Sequence, residues 1–192
     1  MALLRKSARL ANRARIVPFL AVALITANAA PAGFAAEPLE AAVKANYLYK
    51  FGPFVEWPAG VFSGLASPFY VCVLGDDPFG HALDDATHGQ TVAGHPVIVR
   101  RVQSAPGRGD CHVLYLGHVQ GQNPPDLLLG LRGQPVLTVT DEQDGVSGGI
   151  VRLVVRDGRV RFTIDTAAAQ ASGLVISSKL LSLAIASQPA GE

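Results

Sequence analysis

Charge is scarce in this chain. Asp, Glu, Lys and Arg make up 16% of its 192 residues, and Trp occurs once. Apolar residues supply 49%. So little charge beside so much apolar surface excludes intrinsic disorder, and it excludes a nucleic-acid binder built on a basic surface. The formal charge of +1 is unevenly spread, because Arg5, Lys6, Arg9, Arg13 and Arg15 supply five of the sixteen basic residues and no acid precedes Glu37. Beyond residue 15, eleven basic residues face fifteen acidic ones, a balance of −4. An acidic domain repels phosphate backbones, so DNA and RNA are not expected partners. Cysteine is equally rare, with only Cys72 and Cys111. The absence of Cys-x-x-Cys removes the usual device for lowering a thiol pKa and argues against a thiol-redox enzyme. There is no phosphate-binding glycine loop either. Gly75-Asp76-Asp77-Pro78-Phe79-Gly80 lacks the Lys and carries two acids where a phosphate would sit. Neither repeats nor linkers interrupt the chain, and its length suits one ordinary domain.

The first 35 residues read as an export signal. A basic stretch to Arg15 is followed by an apolar run from Ile16 to about Ala30, and Gly33-Phe34-Ala35 offers small residues at the cleavage positions. The alternative is an uncleaved anchor. However, the run is shorter than the ~20 residues a span needs, and Asn28 and Pro31 break it. No Cys near Ala35 suggests a lipid anchor, and no later stretch is long enough to span a membrane. The expectation is a signal peptide over 1–35, an extracytoplasmic domain over 36–187 and a disordered tail over 188–192, with no membrane insertion after cleavage. Export gives the cysteines a meaning. Cys72 and Cys111 each sit in an apolar, strand-like run, in a compartment where disulfides persist. A bond between them is expected, the alternative being two buried free thiols.

Periodicity organises the rest. Glu37-Pro38 opens a helix, and Leu39, Val43, Tyr47, Leu48, Phe51, Phe54 and Val55 recur as its apolar face until Trp57-Pro58 ends it. Glu40 and Lys44 form a supporting pair four residues apart. Strands are expected over 69–74, 92–102 with an interruption at Gly94-His95-Pro96, 111–116 and 135–139. Short helices are expected over 79–87, after Pro124-Pro125, and over 166–172 capped by Gly173. A last helix is expected from Ser178 to about Ala186. The sharpest local signal is Asp157-Gly158, a two-residue turn between 150–156 and 159–165. Pairing Arg156 with Arg159 puts Val151, Leu153, Val155, Val160, Phe162 and Ile164 on one face. The other face carries Arg152, Val154, Arg156, Arg159, Arg161 and Thr163. Strands alternating with helices, then a hairpin, predict one α/β domain: a mixed β-sheet flanked by helices in three layers, ending in the hairpin and C-terminal helices.

Few residues suggest chemistry. Gly145-Val146-Ser147-Gly148-Gly149 matches a nucleophile-elbow pattern, yet a strand follows where a helix is required, and no His follows the Ser. His81, His88 and His95 recur at seven-residue spacing, but a helix, a turn and a strand start separate them, so they read as surface histidines rather than metal ligands. His112 and His118 read as structural. Asp84 and Asp85, adjacent in a helix, do not face each other and make a poor acid–base pair. No catalytic, cofactor or metal residue is assigned. The arginine face is the more informative feature. Arg152, Arg156, Arg159 and Arg161 repel one another across the ribbon, so acids from a packed element, an acidic partner or an anion should compensate, unless solvent alone covers the face.

Two segments carry a resemblance. Val43-Lys44-Ala45-Asn46-Tyr47-Leu48-Tyr49-Lys50-Phe51 followed by Phe54-Val55-Glu56-Trp57-Pro58 resembles the N-terminal signature of the YfiR-like periplasmic proteins. Within it, Lys44, Tyr47, Lys50, Phe51, Glu56, Trp57 and Pro58 stand as motif residues. Gly148-Gly149-Ile150, Arg159 to Asp165, Ala167-Ala168 and Gly173 to Ala184 are similar to the C-terminal signature. The resemblance implies an α/β, dimer-forming periplasmic regulator, and it also implies the Cys72–Cys111 disulfide. The best-known member represses a membrane-bound diguanylate cyclase by binding its periplasmic sensor domain, an outer-membrane lipoprotein relieves the repression, and cyclic-di-GMP output and biofilm formation follow. There are departures. That repressor's second cysteine pair has no counterpart between Asp144 and Leu153, and Asp165 stands where many relatives carry Asn. The alternative reading is a stand-alone periplasmic small-ligand binder.

Overall fold

The computed structural model describes residues 36–64 and 66–188. The expected signal segment 1–35 and residues 189–192 of the expected tail lie outside the described residues. In chain order the elements are α1 (Ala36–Lys50), a 3₁₀ turn (Gly52–Phe54), β1 (Val55–Glu56), β2 (Phe69–Leu74), α2 (His81–Thr87), β3 (Thr91–Val92), β4 (His95–Val102), β5 (Val113–Leu116), α3 (Pro124–Gly130), β6 (Leu137–Asp141), β7 (Val151–Arg156), β8 (Arg159–Asp165), α4 (Thr166–Ala171), β9 (Val175–Ile176), α5 (Ser178–Leu181) and β10 (Ala186–Gln188). The main sheet has the order β10-β8-β7-β6-β5-β2-β4-β3. Its five central strands, β4, β2, β5, β6 and β7, run parallel, while β8 and β3 run antiparallel to their neighbours β7 and β4. This is the mixed sheet expected from the sequence.

Parallel strands covered on both faces need apolar residues at nearly every position. Phe69-Tyr70-Val71-Cys72-Val73-Leu74 supplies such a run for β2, and all four residues of β5 are buried. On one face α1, α2, α4 and α5 close the larger core around Leu48, Phe51, Phe69, Leu83, Tyr115, Phe162 and Leu180. On the other, α3 covers a smaller cluster that includes Cys72, Leu114, Leu131 and Val146. Cys72 and Cys111 are disulfide-bonded within it, with Cα atoms 5.8 Å apart and a sequence separation of 39. The hairpin register is the one the turn dictates, with Arg156 opposite Arg159 and Val151 opposite Ile164. Asp157 and Gly158 both have positive φ, 52° and 67°, as a type I′ turn requires.

Several expectations need correction. The first helix stops at Lys50, because Pro53 interrupts backbone donation and Val55-Glu56 leaves to pair with β9 as a separate two-stranded ribbon. Its buried side also differs from the expected one. Ala45, Leu48, Tyr49 and Phe51 are buried, whereas Leu39 is 68% and Val43 37% exposed. The interruption at Gly94 is a full reversal: Ala93 and Gly94 both have positive φ, and Thr91-Val92 folds back on His95-Pro96. The last helix ends at Leu181, not near Ala186, because the chain then runs to the open edge of the sheet. There Ile185 N–H donates to the Phe162 carbonyl, and β10 pairs with β8 as far as Gln188.

Candidate interaction surface

The hairpin's second face is charged, and the structure shows what compensates it. Glu142, just past the end of β6, approaches two of the four arginines: its carboxylate lies 2.6 Å from Arg156 Nη1 and 4.0 Å from Arg152 Nη2. Arg156 holds the Glu142 carboxyl below the ordinary carboxylate range, and Glu142 in turn raises the Arg156 guanidinium. Arg159 and Arg161 are exposed and, among the described residues, form no ion pair. The face is not uniformly wet, because Val154, opposite Arg161 in register, is fully buried between Arg152 and Arg156 of its own strand. Arginine stems can cover apolar surface while their heads stay in water. The compensating acid thus comes from the neighbouring strand's exit, not from a packed helix.

Two clefts adjoin this surface at Gly148-Gly149. One, about 420 Å³, lies between α3 and α4 and is lined by Leu128, Arg132, Asp165 and Ala168 among others. The second, about 330 Å³, includes Arg152, Thr163 and Asp165. Asp165 Oδ1 accepts from Ala168 N–H and caps α4. Ser147 is exposed in the loop before β7, so the Gly-x-Ser-x-Gly match leads into a strand as its sequence context indicates.

The signature residues of the N-terminal segment build structure. Lys44 is buried, 2.5 Å from both Glu40 and Asp141, and donates to Gln143 Oε1 at 2.7 Å. Burial pulls its pKa down, but hydrogen bonds and charges from Asp141 and Glu40 outweigh that and leave it raised. Tyr47 packs on Phe51 and Phe162, and Trp57 meets Phe69 and His112 edge-on while its indole N–H donates to the Gly52 carbonyl at 3.3 Å. Phe51 is buried and Pro58 half-buried, whereas Lys50 and Glu56 are exposed. Lys44 therefore pins α1 to the end of β6, and Trp57 seats the following loop.

The strand order places a switch point between β2 and β5. From β2 the chain crosses to β4 on one side and then to β5 on the other. In doubly wound sheets, the carboxyl ends at such a switch point bound the usual ligand crevice. Here the two exits close on each other. Asp76 N–H donates to the His118 carbonyl, and Gly117 N–H donates to the Leu74 carbonyl. A Cβ on Gly75 would lie 2.5 Å from the His118 oxygen, and one on Gly117 would collide with the Asp76 carbonyl. Beside this seal Tyr115 OH donates to Asp144 Oδ2 at 2.5 Å. Burial, then the Asp144 carboxylate, drives the Tyr115 pKa far up, and burial also raises that of Asp144.

The histidines divide unexpectedly. His81, His88 and His118 are exposed, but His95, expected at the surface, is buried with its ring stacked on Phe62 at 3.9 Å. His112 is 2% exposed and stacks on the other neighbours, Phe62 at 4.6 Å and Phe69 at 5.0 Å. Its Nδ1 accepts from Tyr70 N–H, and its Nε2 is buried and, among the described residues, has no hydrogen-bond partner. Asp84 bonds Arg101 rather than Asp85. The only sequence clue to the His112 cluster is its place beside Cys111 in an apolar strand run.

A disulfide-bonded α/β domain, sealed at its switch point and bearing an open basic hairpin face, is the class these features define. The chain belongs to the YfiR/HmsC-like family, whose model matches residues 41–185. This is a family of periplasmic regulators and not a known enzyme family. No curated protein matches the chain. Among the described residues, no helix is long and apolar enough to cross a membrane.

Proposed function

We propose that this protein is a non-enzymatic periplasmic regulator that represses a membrane-bound diguanylate cyclase by binding its periplasmic sensor domain. It is exported by a signal over 1–35, acts as a homodimer, needs no cofactor, and sets cyclic-di-GMP output and biofilm formation. Family membership supports the regulatory role. The observation that carries the contact is the hairpin face, where Arg159 and Arg161 are exposed without an acid partner among the described residues. An acidic patch on the sensor domain would complement them.

Arg156 is a poor probe, because reversing it would set a carboxylate against Glu142. The test is therefore Arg159→Glu with Arg161→Glu, measured by thermal melting, by titration with the purified sensor domain, and by cyclic-di-GMP in cells relying on the variant. Melting should be unchanged, association slower and less salt-dependent, and cyclic-di-GMP raised. Unaltered binding and output would refute the contact. A second reading, a stand-alone small-ligand binder, is favoured by the paired clefts with Arg132, Arg152 and Asp165 in their lining. A small molecule that raises the melting temperature, together with a deletion that leaves cyclic-di-GMP unchanged, would favour it over the first.

A further inference from the structure

We infer that the outer stripe of α1 is the surface through which two copies of this chain associate, with their α1 helices antiparallel; the inference rests on the homodimer in the reading above. Leu39, Val43, Asn46 and Lys50 follow one another at steps of four, three and four, with Ala42 and Tyr47 beside them. That is the spacing of a helix-pairing seam. Together these six residues line a shallow groove of about 510 Å³. The seam is not the face that α1 packs on the sheet, since Ala45, Leu48 and Tyr49 serve there.

The stripe lies near the edge of the sheet that β10 forms. Ile185 N–H donates to the Phe162 carbonyl, which sets Ile185 beside Phe162 one step ahead of the β10–β8 register. Tyr47 meets Phe162 ring to ring at 5.7 Å. Ile185 is 49% exposed, and the buried Phe162 is the shared neighbour that joins it to Tyr47.

Charge identifies the occupant. Near the start of α1, Glu40, Lys44 and Asp141 form one bonded group with a net charge of −1. At its end Lys50 is exposed. Antiparallel pairing of two such helices sets each basic end against the acidic start of its mate, twice over, whereas parallel pairing stacks like charge on like. The helix dipoles favour the same arrangement. A patch complementary to itself when reversed is what a two-fold contact needs. Asn46, the one neutral polar residue of the seam, donates one amide hydrogen from Nδ2 to the Ala42 carbonyl at 2.9 Å, which leaves its second hydrogen and its Oδ1 for a partner across the contact. A lone polar seam residue also fixes register.

The test is sedimentation of the purified protein, expressed from its full sequence. The natural chain should be a dimer at micromolar concentration. Leu39→Glu with Val43→Glu should sediment as a folded monomer that still unfolds cooperatively, because both positions are exposed in the single chain, its melting temperature lower only by what association contributes to the dimer. Lys50→Glu alone should shift the monomer–dimer midpoint to higher concentration. A dimer that survives the double change would overturn the surface, and a Lys50→Glu dimer as tight as the natural one would overturn the antiparallel pairing. A natural chain that stays monomeric yet binds the sensor domain would overturn the homodimer itself. In that case, loss of sensor binding by the double variant would assign the stripe to the partner instead.

Discussion

His112 should make the stability of this protein fall steeply in mild acid. Its imidazole is buried among Trp57, Phe62, Phe69 and Tyr70, and Nδ1 must stay unprotonated to accept from Tyr70 N–H. Burial first, then the charges of His95 and Arg100, lower its pKa from 6.5 to about 4. The sign follows from linkage. Below pH 6.5 the unfolded chain gains a proton that the folded chain refuses, so stability is complete above that value and is lost as pH falls toward 4. The whole window corresponds to about 3 kcal/mol, and the part between pH 7.5 and 5 to about 2 kcal/mol. Urea denaturation of the natural chain and of His112→Gln at both pH values, each also carrying His95→Gln to remove the one histidine coupled to it, isolates this effect, because carboxylates and the distant histidines contribute alike to both proteins. The chain that keeps His112 should lose about 2 kcal/mol more than the one that lacks it over that interval. Equal losses would refute the argument that His112 is held neutral by its surroundings.

Lys44→Ala should cost about 3–5 kcal/mol in chemical denaturation, since it strands a fully buried Asp141 carboxylate. Adding Asp141→Leu should recover much of that loss, and no recovery would mean that Lys44 matters for packing rather than charge. Cys72→Ser should lower stability by about 4 kcal/mol, the chain-entropy value for a loop of 39 residues, and thiol titration of the denatured, unreduced natural chain should find almost no free thiol.

Local rules reached some parts of this molecule and not others. Asp157-Gly158 admits one tight turn, and strict alternation on either side leaves one register, so the hairpin could be read before any tertiary contact was known. The central strands were equally legible, because an unbroken run such as Phe69–Leu74 suits a strand buried on both faces. The buried side of α1 was not. Two apolar stripes overlap at Tyr47, Leu48 and Phe51, and periodicity ranks Leu39 and Val43 beside residues that reach the core. Only the sheet's position decides between them. The same holds for the short last helix, whose leucines read as a longer one until the edge strand takes the chain away.

The sequence by itself determined the central strands and the helices between them, the hairpin register, the cysteine pairing and the family, since each depends on neighbours in the chain, on a choice with one partner, or on motif residues in order. Tertiary structure alone decided that Lys44 is a buried ion-pair residue, that His95 and His112 sandwich Phe62, that Glu142 neutralises part of the arginine face, and that the switch point between β2 and β5 is sealed. Each of these joins groups on different elements, and most lie far apart in sequence, with Asp141 almost a hundred residues from Lys44. Burial and charge are set by what the fold brings alongside, and no local pattern records that.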